Sequence, residues 1–311
     1  MRRFSIRGKV RRMSKYAEIG KKMYDLNNHR ELHRYIVFRV RCAMHPRRMR
    51  EIDDFFSNNL LFAKIAKQYP FVYEIPTRAF FYNKSTFYER LEIVKQNMFF
   101  LASKLNEQDF LDLYDRNEKI LWRMEENEPL QLALWYDAGQ RKEGLLSICL
   151  KLSNIVIYQM IFWISRNSQG EWALWIGAMQ GPSMDNAREV IKRVTKRCHA
   201  YRTKNLILHA TQEVAKSLDV KHIYAVTNYG YYAMNHVRVD RKLKTSFTDF
   251  WEEVGGNSCE DKRFFELPLT EKRKPIEDVP NRKRANYRRR YEMLDEIDKS
   301  IRINMKHIMK A

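Results

Sequence analysis

Cysteine is scarce in this chain. Its four, Cys42, Cys149, Cys198 and Cys259, lie far apart in 311 residues, with no CxxC and no histidine pair at metal-ligand spacing. That pattern argues against a disulfide framework and a structural zinc, so no metal site is expected, and it fits a reducing compartment. Long apolar runs are missing too. The longest, "IVIYQMIFWI" at 155–164, is interrupted by Gln159 and reaches about half the length that a bilayer span requires. No apolar stretch follows the basic start "MRRFSIRGKVRRMSKYAEIG", which argues against a signal peptide and for a cytoplasmic protein. Also absent are a Ser-His-Asp set, a Walker loop, an HExxH helix and a complete dinucleotide fingerprint. What is present is a globular composition, 44% hydrophobic and 13% aromatic, long enough to bury a core in one large or two modest domains.

The formal net charge of +20 sits at the two ends. Residues 1–50 carry 16 Lys/Arg against 3 Asp/Glu, and residues 262–311 carry 15 against 8, whereas 51–261 holds 27 of each sign. Basic flanks of this kind attract polyanions: nucleic acid, anionic membrane surfaces or lipopolysaccharide-type lipid. Solvated basic surface is the plainer alternative.

Hydrophobic periodicity divides the chain into four parts: a basic segment at 1–50, a helical region at 51–128, an α+β core at 129–269 and a basic C-terminal helix at 270–311. In the helical region Leu91, Val94, Met98, Leu101 and Leu105 recur at helical spacing. "YPFVYEIPTRAFFYNKST", with two prolines, predicts an irregular link. Beyond Pro129 four short runs, "LQLALWYDA", "GLLSICLKLS", "IVIYQMIFWISR" and "EWALWIGAMQ", predict an antiparallel meander. Two helices, "MDNAREVIKRVTKRCHA" and "KNLILHATQEVAKSLDV", then precede a buried strand, "KHIYAVTN", and a later one, "RFFELP". Helices between the Gln180 strand and "HIYAVTN" allow a parallel crossover, so the fold class is α+β with a mixed, mostly antiparallel sheet. In the last segment Tyr287, Tyr291, Leu294, Ile297, Ile301, Met305 and Ile308 form an amphipathic stripe. Its first turns hold Arg282, Lys283, Arg284, Arg288, Arg289 and Arg290, cations that oppose the helix dipole and are the candidate polyanion site. Docking of the stripe on the core, with the cations in solvent, is the alternative.

The stretches "IGAMQG", "RTKNL", "TDFWEEVGG", "FFELP" and "RKRANYRRRYEMLDEI", in that order over more than half of the chain, resemble the VirK/YbjX family of Gram-negative bacteria. Thr203 departs from the proline expected there. The resemblance implies a factor linked to virulence, envelope integrity and antimicrobial-peptide resistance, and carries no settled catalytic activity. A second resemblance is to the GNAT acyltransferase plan, in which a meander ends at a loop whose amides hold a coenzyme A pyrophosphate. "WIGAMQG", "KNLILHATQEVAKSLDV", "HIYAVTN" and "DFWEEVGG" follow that order, although the usual loop is absent and an extra helix intervenes after Gly181. Glycine beside a helix start lets an anion reach backbone amides.

On this plan the ligand-binding candidates are Gly177, Gln180, Gly181, Arg202, Lys204, Asn205, Asn228 and Trp251, for acyl-CoA or another phosphorylated donor. Each has a structural alternative: Gln180 a strand end, Asn228 a turn, Trp251 the core. The catalytic candidates are His236, whose ordinary pKa suits a general base, and Glu252; as a lone histidine in a polar stretch, His236 fits the surface equally. Three functions are consistent with these residues: an envelope factor peripheral to the inner membrane, an acyltransferase-like enzyme, and a non-enzymatic RNA-binding regulator that uses the basic flanks. An RNA reader should interleave aromatic and basic residues on a platform, which Tyr287 and Tyr291 among arginines echo faintly. Protein partners are not legible.

Overall fold

A computed structural model of the chain describes residues 6–235 and 246–310. Within them six α-helices come first: α1 (Ile6–Met23), α2 (His29–Met44), α3 (Pro46–Ser57), α4 (Leu60–Gln68), α5 (Phe87–Lys104) and α6 (Glu107–Tyr114). Their starts are set locally. Asn28 and Asn59 accept from the first free amides of α2 and α4, and Thr86 with Glu89 forms a reciprocal capping box on α5. The proline-containing link between α4 and α5 winds into two 3-10 turns, Pro70–Tyr73 and Ile75–Thr77.

The helical reading through residue 128 is corrected after Tyr114. Arg116 takes the left-handed conformation (φ 65°), which a helix interior does not allow, and "KILWRM" becomes β1 (Lys119–Met124). It pairs antiparallel with β2 (Leu130–Trp135), and a bulge between Ile120 and Trp122 breaks the register. The sheet continues through β3 (Leu146–Leu152), β4 (Ile155–Arg166) and β5 (Trp172–Gln180). Then α7 (Ala187–Arg197) and α8 (Thr203–Ser217) lead to β6 (His222–Val226), followed by α9 (Phe247–Glu253), β7 (Asn257–Ser258), β8 (Phe264–Leu267) and α10 (Asn281–Ile308). Among the described residues the sheet has eight strands in the order β1-β2-β3-β4-β5-β6-β8-β7, parallel at β5–β6 and antiparallel elsewhere. The fold is α+β, with a helical N-terminal part, a mostly antiparallel mixed sheet and a C-terminal helix. Among the described residues no helix is long and apolar enough to cross a membrane.

Helix α8 packs against β3 and β4, and α10 lies on α8 and β1. The C-terminal stripe is core from Leu294 onward, whereas Tyr287 and Tyr291 at its start are half-buried. Met293, Leu294, Ile297, Ile301, Met305 and Ile308 are buried, each worth roughly 2 kcal/mol of apolar transfer. Polar groups fix the register: Ser300 Oγ and Asn304 Nδ2 both donate to the Leu121 carbonyl, the residue at the β1 bulge. Helix α5 closes the part of β4 that runs beyond β3, with Asn97 Oδ1 accepting from the Ile164 amide at 2.9 Å and Gln96 Oε1 from that of Arg166 at 2.8 Å. Ile297→Ala, which empties a fully buried site between α10 and the core, should lower unfolding free energy by about 3 kcal/mol in a urea titration. A loss under about 1 kcal/mol would mean that α10 is only loosely attached.

Candidate functional site

The parallel pair of strands parts at Gly177. β5 is registered with β6 from Ala173–His222 to Ile176–Ala225 and then runs on to Gln180 beside β4 alone. Val226, the next residue of β6, pairs with Phe264 of β8. Gly177 falls in the bulge where the β4 register shifts between Ile161 and Phe162. The connection from β2 to β3 presses into that point: a Cβ on Gly177 would lie 1.8 Å from the Glu143 carbonyl oxygen, so only glycine admits the contact.

Glu143 closes a short 3-10 turn, Ala138–Lys142, whose own start is fixed by Asp137 and Gln140 in a capping box. Its carboxylate is buried and bridges the gap between the parted strands. Gln180 Nε2 donates to Oε2, and the Tyr231 hydroxyl donates to Oε1 at 2.6 Å. Behind Gln180 the chain of side-chain bonds continues, since Gln159 Nε2 donates to Gln180 Oε1 at 2.8 Å and Gln140 Nε2 to Gln159 Oε1. Burial pushes the Glu143 carboxyl above its ordinary value, and the bonds from Tyr231 and Gln180 only partly offset this. The Tyr231 phenol is held protonated by burial and by the adjoining carboxylate. A buried acid with a raised pKa beside a phenolic donor is an arrangement able to move a proton.

The other sequence candidates fall around the same end of the sheet in two further groups. Asn228, two residues past β6, organises the start of α9: its Oδ1 accepts from the Phe247 amide at 2.7 Å and its Nδ2 donates to Ser246 Oγ at 2.9 Å. Trp251 is fully buried and donates from Nε1 to the Val226 carbonyl at 2.8 Å. Glu252 is exposed on α9. Arg202 and Lys204 both pair with Glu253 at the end of α9, and Lys204 stands 4.3 Å over the Phe250 ring. Burial and neighbouring Arg202 lower the Lys204 pKa. Asn205 lines a cavity of about 250 Å³ with Tyr201, Gln212, Gly255, Glu271 and Lys272, and its buried Oδ1 has no donor among the described residues. Gly181 lies against the Tyr158 ring, where a Cβ would make contacts of 3.4 Å. His236 lies outside the described residues.

Of the six cations at the start of α10, two serve the protein itself. Arg284 donates to the Val279 and Glu277 carbonyls, and Arg290 to those of His199 and Ala200 at the end of α7. The charge of Arg290 is favourable at the negative end of α7. Arg282, Lys283, Arg288 and Arg289 point to solvent. The sequence gives no sign of Glu143, Tyr231 or Gln159 as site residues: Glu143 stands in "GQRKEG", which has the composition of a turn, and the other two stand in aromatic and apolar runs. Gly177 inside a strand is a local sign of a close backbone approach.

Stability should report on the buried acid. Because folding raises the Glu143 pKa, its contribution is fully present below the ordinary value of 4.5 and declines as pH rises through the folded value. Tyr231→Phe removes a donor to the charged form, so its cost should grow with pH, reaching about 2 kcal/mol at pH 8 and less at pH 4 by urea denaturation. A cost independent of pH would show that the hydroxyl does not sense the carboxylate.

Comparison with known proteins gives a family match and partial relatives. The family described as "Protein of unknown function (DUF535)" matches residues 27–303. The chain is 34% identical to "Uncharacterized protein YbjX" of Escherichia coli (strain K12) over 172 residues, 55% of this chain and 52% of that protein. It is 29% identical to an "Uncharacterized protein" of Haemophilus influenzae over 213 residues, 67% and 69% of the two chains. It is 23% identical to "Membrane protein LapB" of Mannheimia haemolytica over 223 residues, 68% and 88% of the two chains. The match thus spans about half the length of YbjX. No solved structure matches the chain.

Proposed function

The chain belongs to the DUF535 family, which contains YbjX, and we propose that it works as a VirK/YbjX-like factor at the bacterial envelope, held peripherally on an anionic membrane face. The observation that carries this reading is the outer face of α2. Ile36, Val40 and Met44, spaced by four residues, are 51%, 51% and 68% exposed, and exposed Arg30, Arg34, Arg47 and Arg48 flank them. Apolar side chains left in water along one helix line, bordered by arginines, match an interface where acyl chains meet anionic headgroups. The four outward cations of α10 add charge of the same sign, and lipopolysaccharide-type lipid offers the same phosphates as an anionic phospholipid. One relative, LapB of Mannheimia haemolytica, is named a membrane protein, which supports this reading. On this reading the virulence and antimicrobial-peptide resistance implied by the family resemblance follow from upkeep of the envelope. Nucleic acid remains the competing polyanion, and Tyr287 gives it little platform, being packed edge-on against Tyr291 and covered by Arg290.

Val40→Asp should cut sedimentation with phosphatidylglycerol vesicles about tenfold at any salt. Charge reversal at Arg282, Lys283, Arg288 and Arg289 should cut it at low salt only. Binding unchanged by both sets, or RNA binding lost in step with them, would count against the membrane reading.

A second reading, acyl transfer from a CoA-type donor, is supported by the Glu143–Tyr231 pair where the parallel strands part. Ligands of open sheets gather beyond the carboxyl ends of parallel strands at such switch points. Here Glu143 would accept a proton from the attacking acceptor and Tyr231 would return one to the leaving group, with Arg202 and Lys204 turning from Glu253 to the phosphates. Acyl-CoA should raise the melting temperature of the wild type, and Glu143→Gln should keep that shift while abolishing turnover. No shift with any acyl-CoA or nucleotide would remove this reading.

A further inference from the structure

His209 and Glu213, one turn apart on α8, face Asp298 on α10, and one ligand atom from each lies within 4.8 Å of the others. Both α8 residues are buried, at 5% and 4% exposure. His209 Nε2 lies 2.6 Å from Asp298 Oδ1, whereas the buried Nδ1 has no hydrogen-bond partner and faces Glu271 Oε2 at 3.8 Å. Lys216 pairs with Glu213, and Arg273 Nη2 approaches Asp298 Oδ2 at 3.7 Å. Three carboxylates therefore surround one imidazole with two cations nearby.

The unpartnered nitrogen is relieved in either of two ways, by a second proton on the ring or by a cation on Nε2. A neutral imidazole that gives its Nε2 proton to Asp298 leaves a bare Nδ1 lone pair turned toward a carboxylate, an unfavourable buried contact. A cation on Nε2 reverses this. It takes the place of the proton, the proton moves to Nδ1, and Nδ1–H can then donate to Glu271 as the outer carboxylate that commonly orients a metal-bound histidine. One imidazole nitrogen and two carboxylate oxygens suit zinc, with the remaining position open to water. We infer that His209, Glu213 and Asp298 form a divalent-cation site that pins α10 to α8. The sequence shows only the four-residue step from His209 to Glu213, because the third ligand comes from another helix. This inference is independent of the membrane and transfer readings.

The test uses the full-length chain stripped of metal and dialysed against zinc. The wild type should take up one zinc that survives gel filtration and raises the melting temperature, and Glu213→Gln and Asp298→Asn should each weaken uptake at least tenfold. Equal uptake by wild type and both variants would place the zinc on surface histidines and overturn the site, as would no uptake at all. If a variant fails to fold, the imidazole nitrogen resonances of the wild type decide. Zinc should shift His209 Nε2 and put the proton on Nδ1, and a ring whose signals ignore zinc overturns the proposal.

Discussion

The turn between β2 and β3 is the constraint on which the rest of the architecture depends. In six residues it reaches three separate parts of the molecule. Arg141 pairs with buried Glu74 at 2.8 Å, tying the sheet to the helical N-terminal part, and stacks 4.1 Å over Phe71. Lys142 gives its carbonyl to the Phe81 amide. Glu143 wedges its backbone against Gly177 and its carboxylate between Gln180 and Tyr231. A buried carboxylate is costly unless its oxygens are occupied, so the surrounding donors must hold their places for the fold to close there. This packing sits where β5 and β6 part.

The terminal charge is resolved in a similar way. Cations at the start of α10 look unfavourable for that helix taken alone. In the folded chain Arg290 answers the exposed carbonyls at the end of α7, where His199 and Ala200 turn into the left-handed region (φ 51° and 60°), and Asn286 donates to the same His199 carbonyl. A charge that strains one helix thus relieves another. The stripe opposite those cations is consumed by α8 and β1, so α10 contributes charge to the surface and little apolar area. On α2 the balance is reversed, with apolar side chains left in water beside arginines.

Residues that the sequence singled out at the end of the sheet are mostly engaged with protein groups. Asn228 starts α9, Trp251 anchors β6 to α9, and Arg202 with Lys204 holds the end of α9 to the start of α8. Each of them keeps this end of the sheet in one shape. The groups with the chemistry of proton transfer are others, Glu143 and Tyr231, from segments that read as a turn and an aromatic run.

The sequence by itself determined the elements whose signal is periodic and local: the meander from Leu130 to Gln180, α8, the strand at His222, and the apolar stripe of α10, with the fold class that their order implies. Spacing of two or three-and-a-half residues is visible in a string because it reports the burial of one face. It failed at "KILWRM", where a helical-looking run becomes an edge strand because α10 and β2 claim its backbone. Only the tertiary structure decided which polar groups meet. Glu143 reaches Gln180 and Tyr231, and His209 reaches Asp298, across separations in sequence that carry no period. Their pairing is set by how sheet and helices pack, which no local pattern encodes.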